Sequence, residues 1–169
     1  MKILLPVDGS ELSLVALRHA IQLVRQGLRA ELVLANVQPP ASLYEWMRAP
    51  DPRALSEIAE AAGQHALQTA ESLLREAGLD ATEVLVTGDP AHALLELIES
   101  EGCDMVVMGS HGGSALRSAL QGSVSQAMVH NSPVPVTLVK PPEATETSPA
   151  SLAETDDVAD DVADQSADA

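Results

Sequence analysis

Two clusters of residues in this chain have the types and spacing for chemistry. The first is Pro6-Val7-Asp8-Gly9-Ser10, where a short apolar run ends in a carboxylate, a glycine and a hydroxyl. The second runs from Met108, Gly109, Ser110 and His111 through Gly112, Gly113 and Ser114 and resumes at Gly122, Ser123, Val124 and Ser125, with Arg117 the one cationic side chain between its ends. Glycine lets backbone N–H groups come close to an anion, and a helix starting at Ser123 would add unpaired donors and the positive end of its dipole. The chemistry indicated is a phosphate cradle. No Lys follows the last glycine, as a P-loop would require, and the spacing is not Gly-x-Gly-x-x-Gly. The same composition also suits a plain Gly/Ser-rich connection between strand and helix, so its place in the fold has to decide.

Other reactive side chains are less organised. His19, His65, His92 and His130 lie far apart at helical positions without metal-ligand spacing. Cys103 is the only cysteine, which excludes an intramolecular disulfide and a multi-cysteine zinc site, and with no basic neighbour it reads as a packed residue. Ser10 lacks the Gly-x-Ser-x-Gly elbow of a nucleophile and reads as a helix cap. No residue is assigned a catalytic role.

The elements that must position the two clusters follow from hydrophobic period. Ile3–Val7, Leu32–Val37, Val84–Thr87, Met105–Met108 and Val134–Val139 are apolar runs of strand length. Several are nearly continuous Val, Leu, Ile and Met, as in strands covered on both faces. Between them lie helical stretches. One begins near Ser10 with Leu14, Leu17, Ile21 and Val24 on one face and stops near Gly27. A second starts at Asp51-Pro52 and carries a stripe of Leu55, Ile58, Ala59, Ala62, Ala66, Thr69, Ala70, Leu73 and Leu74 up to Gly78. A third starts at Asp89-Pro90 with Leu94, Leu95 and Ile98 inward, and a fourth spans Ser123 to His130. Strict alternation of strand and helix predicts an α/β fold: a single doubly wound domain with a five-stranded parallel sheet and helices on both faces. Strand orders 3-2-1-4-5 and 2-1-3-4-5 both satisfy the handedness rule. If the first and fourth strands are neighbours, both clusters open into one crevice at the carboxyl edge.

Composition narrows the partners. The 169 residues are 46% apolar, enough for one core, but only Tyr44 and Trp46 are aromatic, too few for a base-stacking platform. A net charge of −16 repels nucleic-acid backbones and anionic lipids, and no run approaches the ~18 apolar residues of a membrane span. No secretory leader is recognisable at the amino terminus, so a cytoplasmic location is expected. Nine acidic residues and no Lys or Arg follow Lys140, so more than half of the net charge falls at one end. The expected organisation is a domain over residues 1–140 and an acidic, low-complexity, disordered tail over 141–169.

The set Gly109-x2-Gly112-x9-Gly122-Ser123 is preceded by Val106-Val107-Met108 and followed by a helix and Val134-Pro135-Val136. Together with Ile3-Leu4-Leu5-Pro6-Val7-Asp8-Gly9-Ser10, it resembles the nucleotide-binding branch of the universal stress protein family over residues 1–140. The resemblance favours order 3-2-1-4-5 and implies ATP, with Mg2+, as the ligand. On that likeness Pro6, Val7 and Asp8 border adenine and ribose, Val37 closes the adenine side, and Met108 and Gly109 through Ser114 wrap ribose and phosphates. Gly122, Ser123, Val124 and Ser125 then offer N–H groups and hydroxyls to the phosphates, with Asp8 an indirect partner for Mg2+. Relatives often carry a basic residue just after the second glycine; here Gly113 and Ser114 are neutral, leaving Arg117. The implied function is a stress-response regulator in which ATP occupancy modulates conformation or binding of an unidentified protein partner, with at most slow hydrolysis or self-phosphorylation. A homodimer paired through Val134–Val139 is also implied. Two other functions fit less of the pattern: a nucleotide-free dimeric interaction module, and an enzyme that adenylates a substrate.

Overall fold

The computed structural model describes residues 1–40, 52–111 and 122–141. In chain order these form β1 (Lys2–Pro6), α1 (Glu11–Arg25), β2 (Glu31–Gln38), α2 (Pro52–Glu76), β3 (Ala81–Thr87), α3 (Pro90–Glu101), β4 (Met105–Gly109), α4 (Ser123–Asn131) and β5 (Val136–Val139). The strands make one parallel sheet of order β3-β2-β1-β4-β5, with Ile3 level with Leu32 on one side and with Met105 on the other. Of the two orders that period alone allows, this is the one favoured by the resemblance.

Side chains alternate across the sheet, so each face builds its own core. Ile3, Leu5, Leu32, Leu34 and Val107 pack with Ala16, Leu17 and Ala20 of α1 and with Leu67, Ala70 and Leu74 of α2. Leu4, Val33, Ala35, Val106 and Met108 pack on the opposite face with Leu94, Leu97 and Ile98 of α3 and with Met128 of α4. Two helices on each face follow from right-handed crossovers: the chain winds outward from β1 to β3 on one side, then returns past β1 and winds out to β5 on the other.

Local sequence explains where the elements start and stop. Ser10 accepts the Ser13 N–H at 3.2 Å and caps α1. Asp89 accepts the His92 N–H at 2.9 Å and, with Pro90 in the first turn, starts α3. Gly102 ends α3 in the left-handed region at φ 65°. Cys103 follows, its N–H bonded to the Ile98 carbonyl at 2.9 Å and its side chain only 5% exposed among the α3 and α4 core residues. Burial pushes its thiol pKa up.

Three expectations need correction. On α1 the buried face is centred on Leu12, Ala16, Leu17, Ala20 and Ile21, and Leu14 and Val24 are half-buried, because the two alanines let the helix lie closer to the sheet than the leucine stripe alone suggests. On α2 the buried residues are Gly63, Ala66, Leu67, Ala70 and Leu74, while Ile58 and Ala62 are exposed. A helix of 25 residues is about 37 Å long and a strand of eight about 26 Å, so the first turns of α2 outrun the sheet they would pack on. Finally, β5 begins at Val136 rather than Val134: Pro135 has no N–H to pair, although its carbonyl accepts from Val106 at 2.9 Å. Tyr44, Trp46 and residues 142–169 lie outside the described residues.

Candidate functional site

In the observed strand order the winding reverses between β1 and β4, and the carboxyl ends of these strands flank a crevice of about 510 Å³. The size suits a small ligand. Strand order puts Ala35 and Val37 of β2 at one end of the crevice, which is apolar, and Met108 of β4 with Pro90 and Leu94 of α3 adds further apolar lining. Its polar end is formed by Asp8, His111 and the first residues of α4.

The β1 end is held by a dense turn. Val7 N–H still donates to the Ala35 carbonyl at 2.8 Å, one residue past the strand. The chain then turns through Gly9 at φ 79°, a conformation that suits only glycine at low cost. Asp8 Oδ1 accepts from the Ser10 N–H at 3.0 Å and from the Ser10 hydroxyl at 2.5 Å, and Ser13 Oγ donates to the Ser10 carbonyl at 2.8 Å. Asp8 therefore braces the turn that starts α1 while also lining the crevice.

The β4 end is tied directly to α4. Ser110 N–H donates to the Val139 carbonyl at 2.9 Å, and the Ser110 carbonyl accepts both the Gly122 N–H at 2.9 Å and the Ser125 hydroxyl at 2.6 Å. The two described ends of the glycine motif are thus pinned to one another. Ser125 is 2% exposed, and its hydroxyl also lies 2.9 Å from the Gly122 carbonyl, so it serves the scaffold rather than pointing to the polar end. Ser110 itself is nearly buried, with Oγ 3.2 Å from His111 Nδ1.

The α4 N terminus differs from its neighbours. Gly122 is its N-cap and contributes no side-chain hydrogen bond, whereas α1 and α3 are capped by Ser10 and Asp89. Gln126 is the first N–H to find its partner along the helix, at the Gly122 carbonyl. The N–H groups of Ser123, Val124 and Ser125 precede it at the crevice wall, carrying the partial positive charge of a helix start. An anion would satisfy them.

Of the residues expected at the site, Pro6, Val7, Asp8, Val37, Met108, Gly109, His111, Gly122, Ser123, Val124 and Ser125 all line this one crevice. Ser110 stands behind it as an anchor. Gly112, Gly113, Ser114 and Arg117 lie outside the described residues. Sequence reasoning missed Ser13, Ala35, Pro39, Pro90 and Leu94. Pro90 and Leu94 were legible only as a helix start and its inward face; that α3 crosses β2 to reach β4, bringing its first turn to Val37, is a property of strand order. Among the described residues no group of three or more His, Cys, Asp and Glu side chains could hold a metal, and no helix is long and apolar enough to cross a membrane.

A wholly parallel, doubly wound α/β domain with a crevice at its switch point, closed by an uncapped helix, is the class defined by fold and site. Residues 1–140 match the universal stress protein family, and the chain belongs to that family. It is 32% identical to universal stress protein MJ0531 of Methanocaldococcus jannaschii over 148 residues, covering 84% of this chain and 83% of that protein. The solved structure of MJ0577 from the same organism, 27% identical, superposes with a TM-score of 0.71 over 85% of this chain and 97% of that one. A universal stress protein solved in complex with cAMP is 28% identical, with a TM-score of 0.62 over 82% of this chain and 96% of that one.

Proposed function

We propose that the crevice binds ATP, with the base at the apolar end and the phosphates at the α4 N terminus, and that occupancy modulates conformation or partner binding in a cytoplasmic stress-response protein. The observation that carries this reading is the uncapped start of α4 at one end of a crevice whose other end is apolar. The cAMP complex of a 28% identical relative supports an adenine nucleotide as the ligand class.

The apolar end also offers a way to read the base. In β2 the Ala35 carbonyl points toward β1 and the Gln38 carbonyl, which accepts from Gly88, toward β3. By the alternation of a strand, the N–H and C=O of Val37 face the β1 side, where β1 has already turned away. A donor and an acceptor side by side match N1 and the N6 amino group of adenine. Guanine presents an N–H and a carbonyl there, the reverse pattern. Asp8 is the one carboxylate among the described lining residues, so Mg2+ would be held by phosphate oxygens and water with Asp8 nearby. No general base is assigned, and turnover is expected to be slow at most.

Native mass spectrometry of protein purified without added nucleotide, and again after ATP addition, tests the reading. Mg-ATP at 100 times its Kd should stabilise the fold by about 2.7 kcal/mol, a rise in Tm of roughly 5–10 °C at this size, and GTP should do much less. Absence of both bound nucleotide and a thermal shift would refute it.

We further propose a two-fold homodimer through β5. This strand is an edge of the sheet with Val136–Val139 all half-buried, and an apolar edge invites pairing. Light scattering at micromolar concentration should give twice the chain mass; a monomer would count against the pairing.

A further inference from the structure

Asn36 is a carboxamide in the middle of the sheet, 1% exposed, on the face covered by α2. Its Nδ2 donates to the Val7 carbonyl at 2.7 Å, and its Oδ1 accepts from Gln38 Nε2 at 2.7 Å. In an uninterrupted parallel ladder, the Val7 carbonyl would take the N–H of Val37, because the Val7 N–H has just bonded to the Ala35 carbonyl. The Asn36 side chain takes that acceptor instead. The ladder therefore ends one bond early, and the backbone edge of Val37 is left facing the crevice.

Gly63 of α2 lies against the same amide. A Cβ there would come to 2.6 Å from Asn36 Oδ1, 2.5 Å from Leu85 Cδ1 and 3.1 Å from Gln38 Nε2. Leu85 can swing aside, but the Asn36 carboxamide is fixed by a hydrogen bond at each end. The glycine is what lets a helix pass this close over the pair.

We propose that Asn36 is a positioning residue that sets base selectivity: by holding the Val7 carbonyl out of the ladder it keeps Val37 available to pair with adenine, and Gly63 keeps the carboxamide in place. The proposal rests on the crevice being the ATP site. It assigns Asn36 no contact with the nucleotide.

Asn36→Leu keeps the side-chain size and removes both hydrogen bonds, freeing the Val7 carbonyl to recruit the Val37 N–H. Gly63→Ala displaces the carboxamide from the opposite side without changing its chemistry. In both variants ATP affinity should fall about tenfold and the preference for ATP over GTP should shrink toward unity, as expected when a base-reading donor is consumed. Affinity for inorganic triphosphate, which uses only the α4 terminus, should be unchanged. Amide hydrogen exchange on the unaltered protein gives a second readout: the Val37 N–H should exchange fast without ligand and slow with ATP, but not with triphosphate. Full ATP selectivity in folded Asn36→Leu, or a Val37 amide already protected without ligand, would overturn the proposal while leaving the ATP site intact. If the unaltered protein binds neither ATP nor triphosphate, the ATP site fails and this role for Asn36 fails with it.

Discussion

Gly122→Asp should stabilise the empty protein and abolish its ATP binding. The residue sits at φ −59° and ψ 148°, a conformation open to any amino acid, so the backbone does not demand glycine. Aspartate is among the best N-caps, and supplying the bond missing at α4 should add about 1 kcal/mol, a rise in Tm of about 3 °C. The same carboxylate would occupy the place proposed for the phosphates. Like charges about 4 Å apart near a protein surface repel by about 4 kcal/mol, and even after screening the loss of affinity should be on the order of 100-fold. Thermal melts with and without Mg-ATP read both effects at once. A variant that is more stable and still binds ATP normally would remove the phosphates from α4.

Gly109→Val should do the opposite, damaging the fold itself. A Cβ at this position would lie 2.9 Å from Leu12 Cγ and 3.3 Å from the His111 carbonyl, and Leu12 is itself buried in α1. The close approach of α1 to the end of β4 thus depends on the missing side chain. Overpacking of this kind costs about 1–3 kcal/mol, lowering Tm by roughly 3–10 °C. Urea unfolding would measure it, and an unchanged midpoint would mean that α1 does not pack where described. Two glycines of one motif are therefore glycines for different reasons, one for packing and one for the open helix end.

Much of this architecture was legible because it is local. Ser10 and Asp89-Pro90 announce their helices by side chains that cap within three residues, and the β1, β2 and β4 runs are apolar because both sheet faces are covered. The carboxyl-edge clusters could be read as one site once β1 and β4 were taken as neighbours. What escaped depends on partners distant in sequence. Asn36 looks like an interruption of an apolar run until its bond to Val7, 29 positions away, is seen. Gly63 looks like a weak point in a helix until the Asn36 and Gln38 amides beneath it are seen. Ile58 carries the same period as its stripe and is nonetheless 66% exposed, since period says nothing about where the underlying sheet ends. The start of β3 at Ala81 was missed for a related reason: Thr82 and Glu83 of this edge strand are exposed, so its first half has no apolar signature.

Cys103 gives the molecule a built-in stopwatch. It is the chain's single thiol, it is shut inside the core beneath α3 and α4, and its burial disfavours the thiolate that alkylating reagents attack. Reagent can reach it only in the moments when that side of the sheet parts, so the rate of modification scales with the population of those open moments multiplied by the reactivity of the exposed sulfur. Because the crevice is walled by Met108 and Leu94 of the same core, a molecule gripping the crevice should slow the clock for every opening that breaks its own contacts, and the delay reports from inside the fold how firmly the ligand holds that side closed.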